Sequence, residues 1–482
     1  MTSTTTLTTA HETRLLIAGT LRDAAGGGTF EVVNPATGDV VGVVADATSA
    51  DMDEAIAAAR TSFDSSCWAQ DRALRQRCLR QLHEAIVAEK EELRQELVVE
   101  VGAPLSTTYM AQLDWPLADG LLWPARMIDE FAWERRLADG EAGGLTSERW
   151  VLKEPVGVVA AIIPWNFPFE ILINKLGPAL ATGNTVVVKA AAETPWNATR
   201  IGRLIAEKTD IPAGVVNVIT TRDRSVAQEL VTDPRVDMIS FTGSTATGQL
   251  MLQLSAPTFK RTLMELGGKS AGIILDDADL AAALPAAAAA CLHAGQGCAL
   301  PTRLLVQRGV YEQAVAALEQ VYAHLPFGDP ADPETFSGPI ITAKQRDHIL
   351  EMIEAGKRDG ARLLVGGGIP VSQPPSRCAN QKAPAMLRTT SRATSGVASP
   401  TRMRAPPTSS TSAANHAASS EAGMPILPKP AATPSIPFVP SFCQPWAIRT
   451  TPSTTRVSSS ARSRSAAGGC RRERMRVLRS DT

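Results

Sequence analysis

Cys298 stands in the turn Gly295-Gln296-Gly297-Cys298, just past a long alanine-rich segment, and is the strongest candidate nucleophile in the chain. A thiolate attacks a carbonyl carbon far better than a hydroxyl does, and a cysteine held beside backbone N–H groups can ionise near neutral pH. A lone cysteine is more often a small buried hydrophobe, so the assignment rests on the groups that accompany it. Asn166, in Pro164-Trp165-Asn166-Phe167-Pro168, brings an amide to a strand end. There it can donate to an oxygen that turns negative during attack on a carbonyl, or simply cap the turn. Glu265, beside Gly267-Gly268, is a carboxylate able to draw a proton from water, although most single glutamates are solvated surface residues. Gly243-Ser244-Thr245-Ala246-Thr247-Gly248 opens a helix straight after a strand. Its free N–H groups suit a pyrophosphate or a plain N-cap by Ser244 or Thr245, and it is not the G-x-G-x-x-G fingerprint.

Regular elements must hold these groups. Residues 156–163 form a continuous apolar run between Pro155 and Pro164, as expected of a strand buried on both faces. A helix over about 167–182 follows, then strand 184–189, helix 195–208, strand 215–220, helix 224–231, strand 236–241 and a helix from about 244. Units of this kind build a parallel sheet with right-handed crossovers. The first, second and fourth of these strands end at Pro164–Asn166, Lys189 and Gly243, so those residues share the carboxyl edge, where ligands of open α/β sheets bind.

Upstream, residues 11–47 read as a small antiparallel lead-in, and a helix starts at Asp51 with Glu54 completing a capping box. A second helix runs from about Arg72 to Val101, with Leu79, Leu82, Ile86 and Val87 inward, and stops at Gly102-Ala103-Pro104. Helix continues to about Phe131, and the charged stretch after it reads as a strand excursion. Past residue 261 come a strand and turn, a strand over 271–275, the alanine-rich helix with Cys291 facing the core, and the cysteine turn. Residues 301–368 add a strand, two helices and a strand, so a second α/β domain begins near 262.

At 482 residues the chain is too long for a single core. The N-terminus has neither a basic nor an apolar leader region and no stretch is apolar enough to span a bilayer, so a cytoplasmic protein is expected. Seven cysteines, an odd number without a C-x-x-C pair, suggest neither a disulfide framework nor a metal site. The balance of 48 basic and 49 acidic residues hides an asymmetry, because residues 371–482 hold 16 basic and 3 acidic ones and lose all hydrophobic periodicity.

Pro164-Trp165-Asn166-Phe167-Pro168, Phe241-Thr242-Gly243-Ser244-Thr245, Met264-Glu265-Leu266-Gly267-Gly268-Lys269 and Gly295-Gln296-Gly297-Cys298, with Arg303 five residues on, follow one another in a telling order. In that order and at about that spacing, residues 12–368 resemble the NAD(P)-dependent aldehyde dehydrogenase superfamily. The resemblance implies an α/β fold with a Rossmann-type parallel sheet of five strands in an NAD(P)-binding domain (residues 8–261), and an α/β catalytic domain (262–368). The stretch 131–150 would begin an oligomerisation hairpin. It also implies an aldehyde as substrate and NAD as cofactor. Cys298 would attack the aldehyde, Asn166 and the Cys298 N–H would hold the oxyanion, Glu265 would activate the hydrolytic water, and Lys175 would relay protons. Ile163, Pro164, Trp165, Lys189, Ala192, Gly243, Ser244, Gly248 and Leu266 fall at cofactor-binding positions, with Lys189 at the adenosine ribose and Ser244 at the pyrophosphate.

Two departures stand out. The family usually carries a glutamate three residues after the ribose lysine, where this chain has Ala192. A carboxylate there would repel a 2′-phosphate, so NAD use with NADP tolerated is expected. From residue 369 nothing resembles the family. The segment that grips the nicotinamide ribose and the dimer-edge strand of the homodimeric or homotetrameric family are expected to be missing. This low-complexity tail (369–482) is expected to be disordered and to arise from a reading-frame shift in a GC-rich coding sequence. The leading expectation is aldehyde oxidation, with no nucleic-acid or membrane partner. An inactive remnant of the family and a basic-tailed nucleic-acid-binding protein are the alternatives.

Overall fold

The computed structural model describes residues 11–369 and two short strands beyond them; the other expectations for 370–482 lie outside the described residues. In chain order, β1 (Leu15–Ile17) and β2 (Thr20–Arg22) form an antiparallel hairpin, as do β3 (Thr29–Val33) and β4 (Val40–Ala45). Six helices follow: α1 (Ser49–Ser65), α2 (Arg72–Ala88), α3 (Lys90–Glu96), α4 (Leu105–Thr108), α5 (Asp114–Asp119) and α6 (Leu122–Glu130). After the short strands β5 (Glu134–Arg136), β6 (Gly140–Ala142), β7 (Leu145–Ser147) and β8 (Trp150–Glu154), strands and helices alternate. They are β9 (Val158–Ile162), α7 (Pro168–Ala181), β10 (Thr185–Lys189), α8 (Trp196–Lys208), β11 (Val216–Ile219), α9 (Arg224–Thr232), β12 (Met238–Gly243), α10 (Thr245–Ser255) and β13 (Arg261–Leu266). Beyond lie β14 (Ala271–Ile274), α11 (Leu280–Ala288), β15 (Arg303–Val306), α12 (Tyr311–Ala323), α13 (Ala343–Arg358), β16 (Arg362–Val365), β17 (Met386–Arg388) and β18 (Arg449–Thr450).

The main sheet runs β13-β12-β9-β10-β11-β1-β2. Its first five strands are parallel, and β1 joins the edge antiparallel to β11. Helices cover both faces, which is why β9 and the centre of β10, Val186–Val188, read as apolar runs. Side-chain alternation in β10 divides the core: Val186 and Val188 join Leu79, Leu172 and Leu204 on one side, while Val187 joins Ile56, Leu230 and Ile239 on the other. Each such buried valine is worth about 1.5–3 kcal/mol relative to exposure. β9 sits between β10 and β12, and the register sets Ile162 beside both Lys189 and Phe241. The expected sharing of one carboxyl edge is therefore what the sheet shows.

Three local expectations are corrected. The first helix starts earlier, with Thr48 as its cap and Asp51, rather than Glu54, closing the capping box. Asp51 is fully buried and accepts from the Thr48 N–H and hydroxyl at 2.9 and 2.8 Å, a role filled by an acceptor side chain three residues past the cap. The second helix is not continuous to Val101. It breaks at Glu89, whose carboxylate is pulled out to accept from Arg200 Nη1 at 2.7 Å and from Arg203. Val87 is exposed, because the inward stripe of α2 is Arg75, Cys78, Leu79, Leu82, Ala85 and Ile86, and position 87 lies off it.

The expected strand excursion is present as β5 to β8, with β8 paired antiparallel to β5 and to β18. Downstream, β14 and β15 form a two-stranded parallel sheet, and β16 pairs with β17. Ile273, Leu275 and Leu305 in and beside that two-stranded sheet are more than half exposed.

Candidate functional site

The carboxyl edge of the main sheet opens into a cleft of about 990 Å³. Its walls include Ile163, Pro164 and Trp165 beyond β9, Lys189 and Ala192 beyond β10, and Gly243 and Ser244 where β12 passes into α10. Seven of the nine residues assigned to cofactor binding from the sequence thus line one cavity. The other two, Gly248 and Leu266, pack on each other: a Cβ on Gly248 would come within 2.6 Å of Leu266 Cδ2, so glycine lets α10 approach β13. Ser244 caps α10, its hydroxyl accepting from the Thr247 N–H at 3.2 Å. Lys189 is half-buried, and its ammonium pKa is pushed down by burial and by Arg224, with Glu193 opposing. Ala192 packs beside the Phe30, Val32, Val44 and Trp196 cluster.

The four residues assigned to catalysis lie apart from those walls. Asn166 follows Trp165 directly, and its Nδ2 donates to the backbone carbonyl of Gln296 at 2.6 Å, tying the strand end to the cysteine turn. Glu265 lies on β13 opposite Thr242, and the glycine pair after it approaches the turn, since a Cβ on Gly268 would meet the Cys298 carbonyl at 3.5 Å. Arg303 fastens the far side through Nε to the Lys269 carbonyl at 2.7 Å. Lys175, only 4% exposed, donates from Nζ to Ser240 Oγ at 2.9 Å. Burial lowers its pKa to about 7, with Glu265 acting in the opposite direction.

The expected easy ionisation of Cys298 is corrected. The residue is exposed, yet surrounding protein desolvates the thiol and the nearby Glu170 and Glu265 carboxyls disfavour a second negative charge. These outweigh the N–H groups of Cys298 and Ala299, and the pKa lies above the ordinary thiol value. Cys291, expected on a core-facing helix, lies in the irregular 3₁₀ stretch Ala289–Gly295 and is half-buried.

Sequence reasoning missed several residues that shape the site. Gln296, 9% exposed, donates from Nε2 to the His293 and Pro339 carbonyls at 3.1 Å each and accepts from the Ile341 N–H at 3.0 Å. It couples the cysteine turn to residues 341–343, which form part of the cleft wall. Gln112 donates to the Asn166 carbonyl at 2.8 Å from a distant helix junction. His293 is buried edge-on to Phe167, ring centroids 5.6 Å apart, and desolvation lowers its pKa to about 4, so it is neutral. Arg222, Arg224 and Glu31 also line the cleft. Glu170 stands in the first turn of α7, and burial raises its pKa to about 7. Among the described residues, no three or more His, Cys, Asp or Glu side chains are grouped to hold a metal ion.

A twisted parallel sheet with a cleft at its carboxyl edge defines a nucleotide-binding α/β class. The aldehyde dehydrogenase family model matches residues 22–394, past the point where the sequence motifs end at 368, and the chain belongs to that family of NAD(P)-dependent oxidoreductases acting on aldehydes. An aldehyde dehydrogenase of Enchytraeus buchholzi is 36% identical over 360 residues, 74% of this chain and 71% of that protein. The mitochondrial succinate-semialdehyde dehydrogenase of Arabidopsis thaliana is 35% identical over 74% of this chain and 66% of its own length. Among solved structures, betaine aldehyde dehydrogenase from Staphylococcus aureus in complex with NAD+ superposes with a TM-score of 0.74 at 30% identity, covering 78% of this chain and 74% of that one. No helix among the described residues is long and apolar enough to cross a membrane.

Proposed function

We propose that this chain oxidises an aldehyde to its carboxylic acid with NAD, NADP also being accepted, through a covalent intermediate on Cys298. One observation carries the reading: a single strand end presents Ile163–Trp165 to the cleft and, at the next residue, holds the Cys298 turn through Asn166 at 2.6 Å. The cleft wall and the residue that fastens the cysteine turn are thus adjacent in the backbone.

The cleft residues suit a dinucleotide. The free N–H groups at the start of α10 favour a pyrophosphate, and half-buried Lys189 has no hydrogen-bonded carboxylate among the described residues. Ile163, Pro164, Trp165, Lys189, Ala192, Gly243 and Ser244 would hold the dinucleotide, with Gly248 and Leu266 shaping the passage from α10 to β13. When bound, the nicotinamide supplies the acceptor for hydride.

The rest is the work of the side chains. With its pKa raised, the Cys298 thiol rests protonated, so attack requires a base, and Glu265 is the carboxylate for it. The thiolate bonds to the carbonyl carbon, and the resulting oxyanion takes hydrogen bonds from the Cys298 N–H and the Asn166 amide. Loss of a donor of this kind costs about 10²–10³ in rate. Collapse of the oxyanion expels hydride and leaves a thioester. Glu265 gives up the thiol proton through Lys175 and then removes a proton from water as the water attacks the thioester; the C–S bond breaks, releasing the acid and returning the Cys298 thiolate.

Residues 8–261 act as the cofactor domain and 262–368 as the catalytic domain, with β5 to β8 as the hairpin of a homo-oligomer in the cytoplasm. The decisive test is aldehyde-dependent NADH formation. Cys298→Ala should abolish it and Cys291→Ala should leave most of it; equal loss in both, with folding intact, would refute the assignment. The exposed Ile273, Leu275 and Leu305 favour a second reading, an inactive remnant with an uncovered catalytic sheet. That reading stands if the purified chain reduces NAD with no member of a broad aldehyde panel.

A further inference from the structure

α7 turns one half-buried stripe away from the core. Between the buried Phe169, Leu172, Ile173, Lys175 and Leu176 it leaves Glu170, Ile171, Asn174 and Pro178 partly accessible at helical spacing, continuing from Asn166 and Phe167 at its head. The head of this stripe is pinned to the nucleophile's turn twice, through Asn166 Nδ2 to the Gln296 carbonyl and through the Phe167–His293 ring contact. Glu170 is therefore one helical turn from the residue that fastens the cysteine turn. Its carboxyl has no hydrogen bond or ion pair among the described residues, and the Cys298 thiol senses its charge more strongly than that of Glu265. A half-buried acid left without a partner, close enough to a nucleophile to oppose its ionisation, is costly unless something else meets its charge.

Resting on the dehydrogenase reading above, we propose that Glu170 is a specificity residue whose carboxylate, one helical turn from the residue that fastens the Cys298 turn, recruits aldehydes carrying a positively charged group, such as amino- or trimethylammonio-aldehydes, and rejects anionic ones. The cation takes the place of the absent ion-pair partner and relieves the thiolate of a neighbouring negative charge. It thereby favours both binding and ionisation of the nucleophile. Burial holds the Glu170 pKa near 7, so the effect is carried by a group that is substantially charged just above neutrality.

The test reads the charge field at Cys298 without requiring turnover. The full-length chain is labelled at pH 8 with two methanethiosulfonates, one carrying a trimethylammonioethyl and one a sulfonatoethyl group. Each transfers its thioalkyl group to the thiolate and releases methanesulfinate, and mass spectrometry follows the Cys298 peptide. The cation-to-anion rate ratio, normalised to that of 2-mercaptoethanol, should be about tenfold or more in the wild type, the size expected of one nearby unit charge partly screened by solvent. Glu170→Gln should remove most of it, Glu170→Asp should retain it, and Glu265→Gln should lower it less. A wild-type ratio equal to that of 2-mercaptoethanol, which needs no variant, would overturn the proposal. So would an unchanged ratio in Glu170→Gln or an equal fall in Glu265→Gln. Initial rates with cationic, neutral and anionic aldehydes of one chain length complete the test. Loss confined to the cationic aldehyde in Glu170→Gln supports the specificity role, and equal loss for all three overturns it in favour of a general base. Turnover of no aldehyde would defeat the dehydrogenase reading, while the labelling ratio would still decide the role of Glu170.

Discussion

Gln296 offers the sharpest test of how the site is assembled. Its side chain is 9% exposed and makes three hydrogen bonds: to the His293 carbonyl at 3.1 Å, to the Pro339 carbonyl at 3.1 Å and from the Ile341 N–H at 3.0 Å. Gln296→Ala removes all three and leaves backbone groups without partners in a place that water reaches poorly. At about 1 kcal/mol for each bond, the loss should be roughly 3 kcal/mol, before any packing effect. Gln296→Glu should cost at least as much. The carboxylate can still accept from Ile341 N–H, but it faces two carbonyl oxygens with no proton to offer. Urea titration followed by tryptophan fluorescence measures this as a shift in midpoint at constant slope. Because Asn166 holds the same turn through the Gln296 carbonyl, kcat/KM should fall with stability, by about tenfold or more for a displacement of the nucleophile on the order of 1 Å. Variants within about 0.5 kcal/mol of wild type, well under the cost of a single lost bond, would show that the turn is held by backbone alone and would refute the reasoning.

Ala192→Glu places a carboxylate on the cleft wall shared with Lys189 and Arg224, and should shift the NAD:NADP ratio of kcat/KM towards NAD by about tenfold or more. A strong NAD preference that the substitution leaves unchanged would contradict the cofactor assignment. For Lys175, the folded-state pKa of about 7 lies below the ordinary lysine value of 10.5, so from about pH 7 to 10.5 the unfolded chain binds the additional proton. Stability relative to Lys175→Met should accordingly rise with pH across that window and be lowest below pH 7, where the buried ammonium stays charged. Paired denaturation curves at pH 6 and pH 9 check the sign. Sequencing the coding region for residues 365–375 tests the expected frame shift: an uninterrupted family-like continuation in the neighbouring frame supports it, and its absence refutes it.

Much of the parallel sheet could be read from the sequence. Strands covered on both faces read as near-continuous apolar runs: β9 is apolar throughout and β10 carries Val186–Val188, whereas β11 holds a buried Asn217 that accepts from the Ala18 N–H and donates to the Gly214 carbonyl. Loop motifs were legible for a related reason: Asn166, Gly243 and Cys298 stand where regular elements end, and turn chemistry is written in neighbouring residues. What failed at close range failed through competition. The sequence set Asp51 at the helix start with Glu54 as its capping-box partner, and the hydroxyl of Thr48 with the buried surroundings of Asp51 moved both roles three residues back. Glu89 broke a helix that its local pattern would have continued, because two arginines more than a hundred residues away reach its carboxylate.

The pairing of β1 with β11, the hold of Gln112 on the Asn166 carbonyl and the bridging by Gln296 to Pro339 and Ile341 have no local signature, since each joins segments 43 or more residues apart. The charge state of the nucleophile is the clearest case. The sequence determined that a cysteine would stand in a glycine-flanked turn. Only the folded chain decided that Glu170 and Glu265 would converge on its thiol and raise the cost of ionising it, because electrostatic energy depends on distance and burial and not on position along the chain.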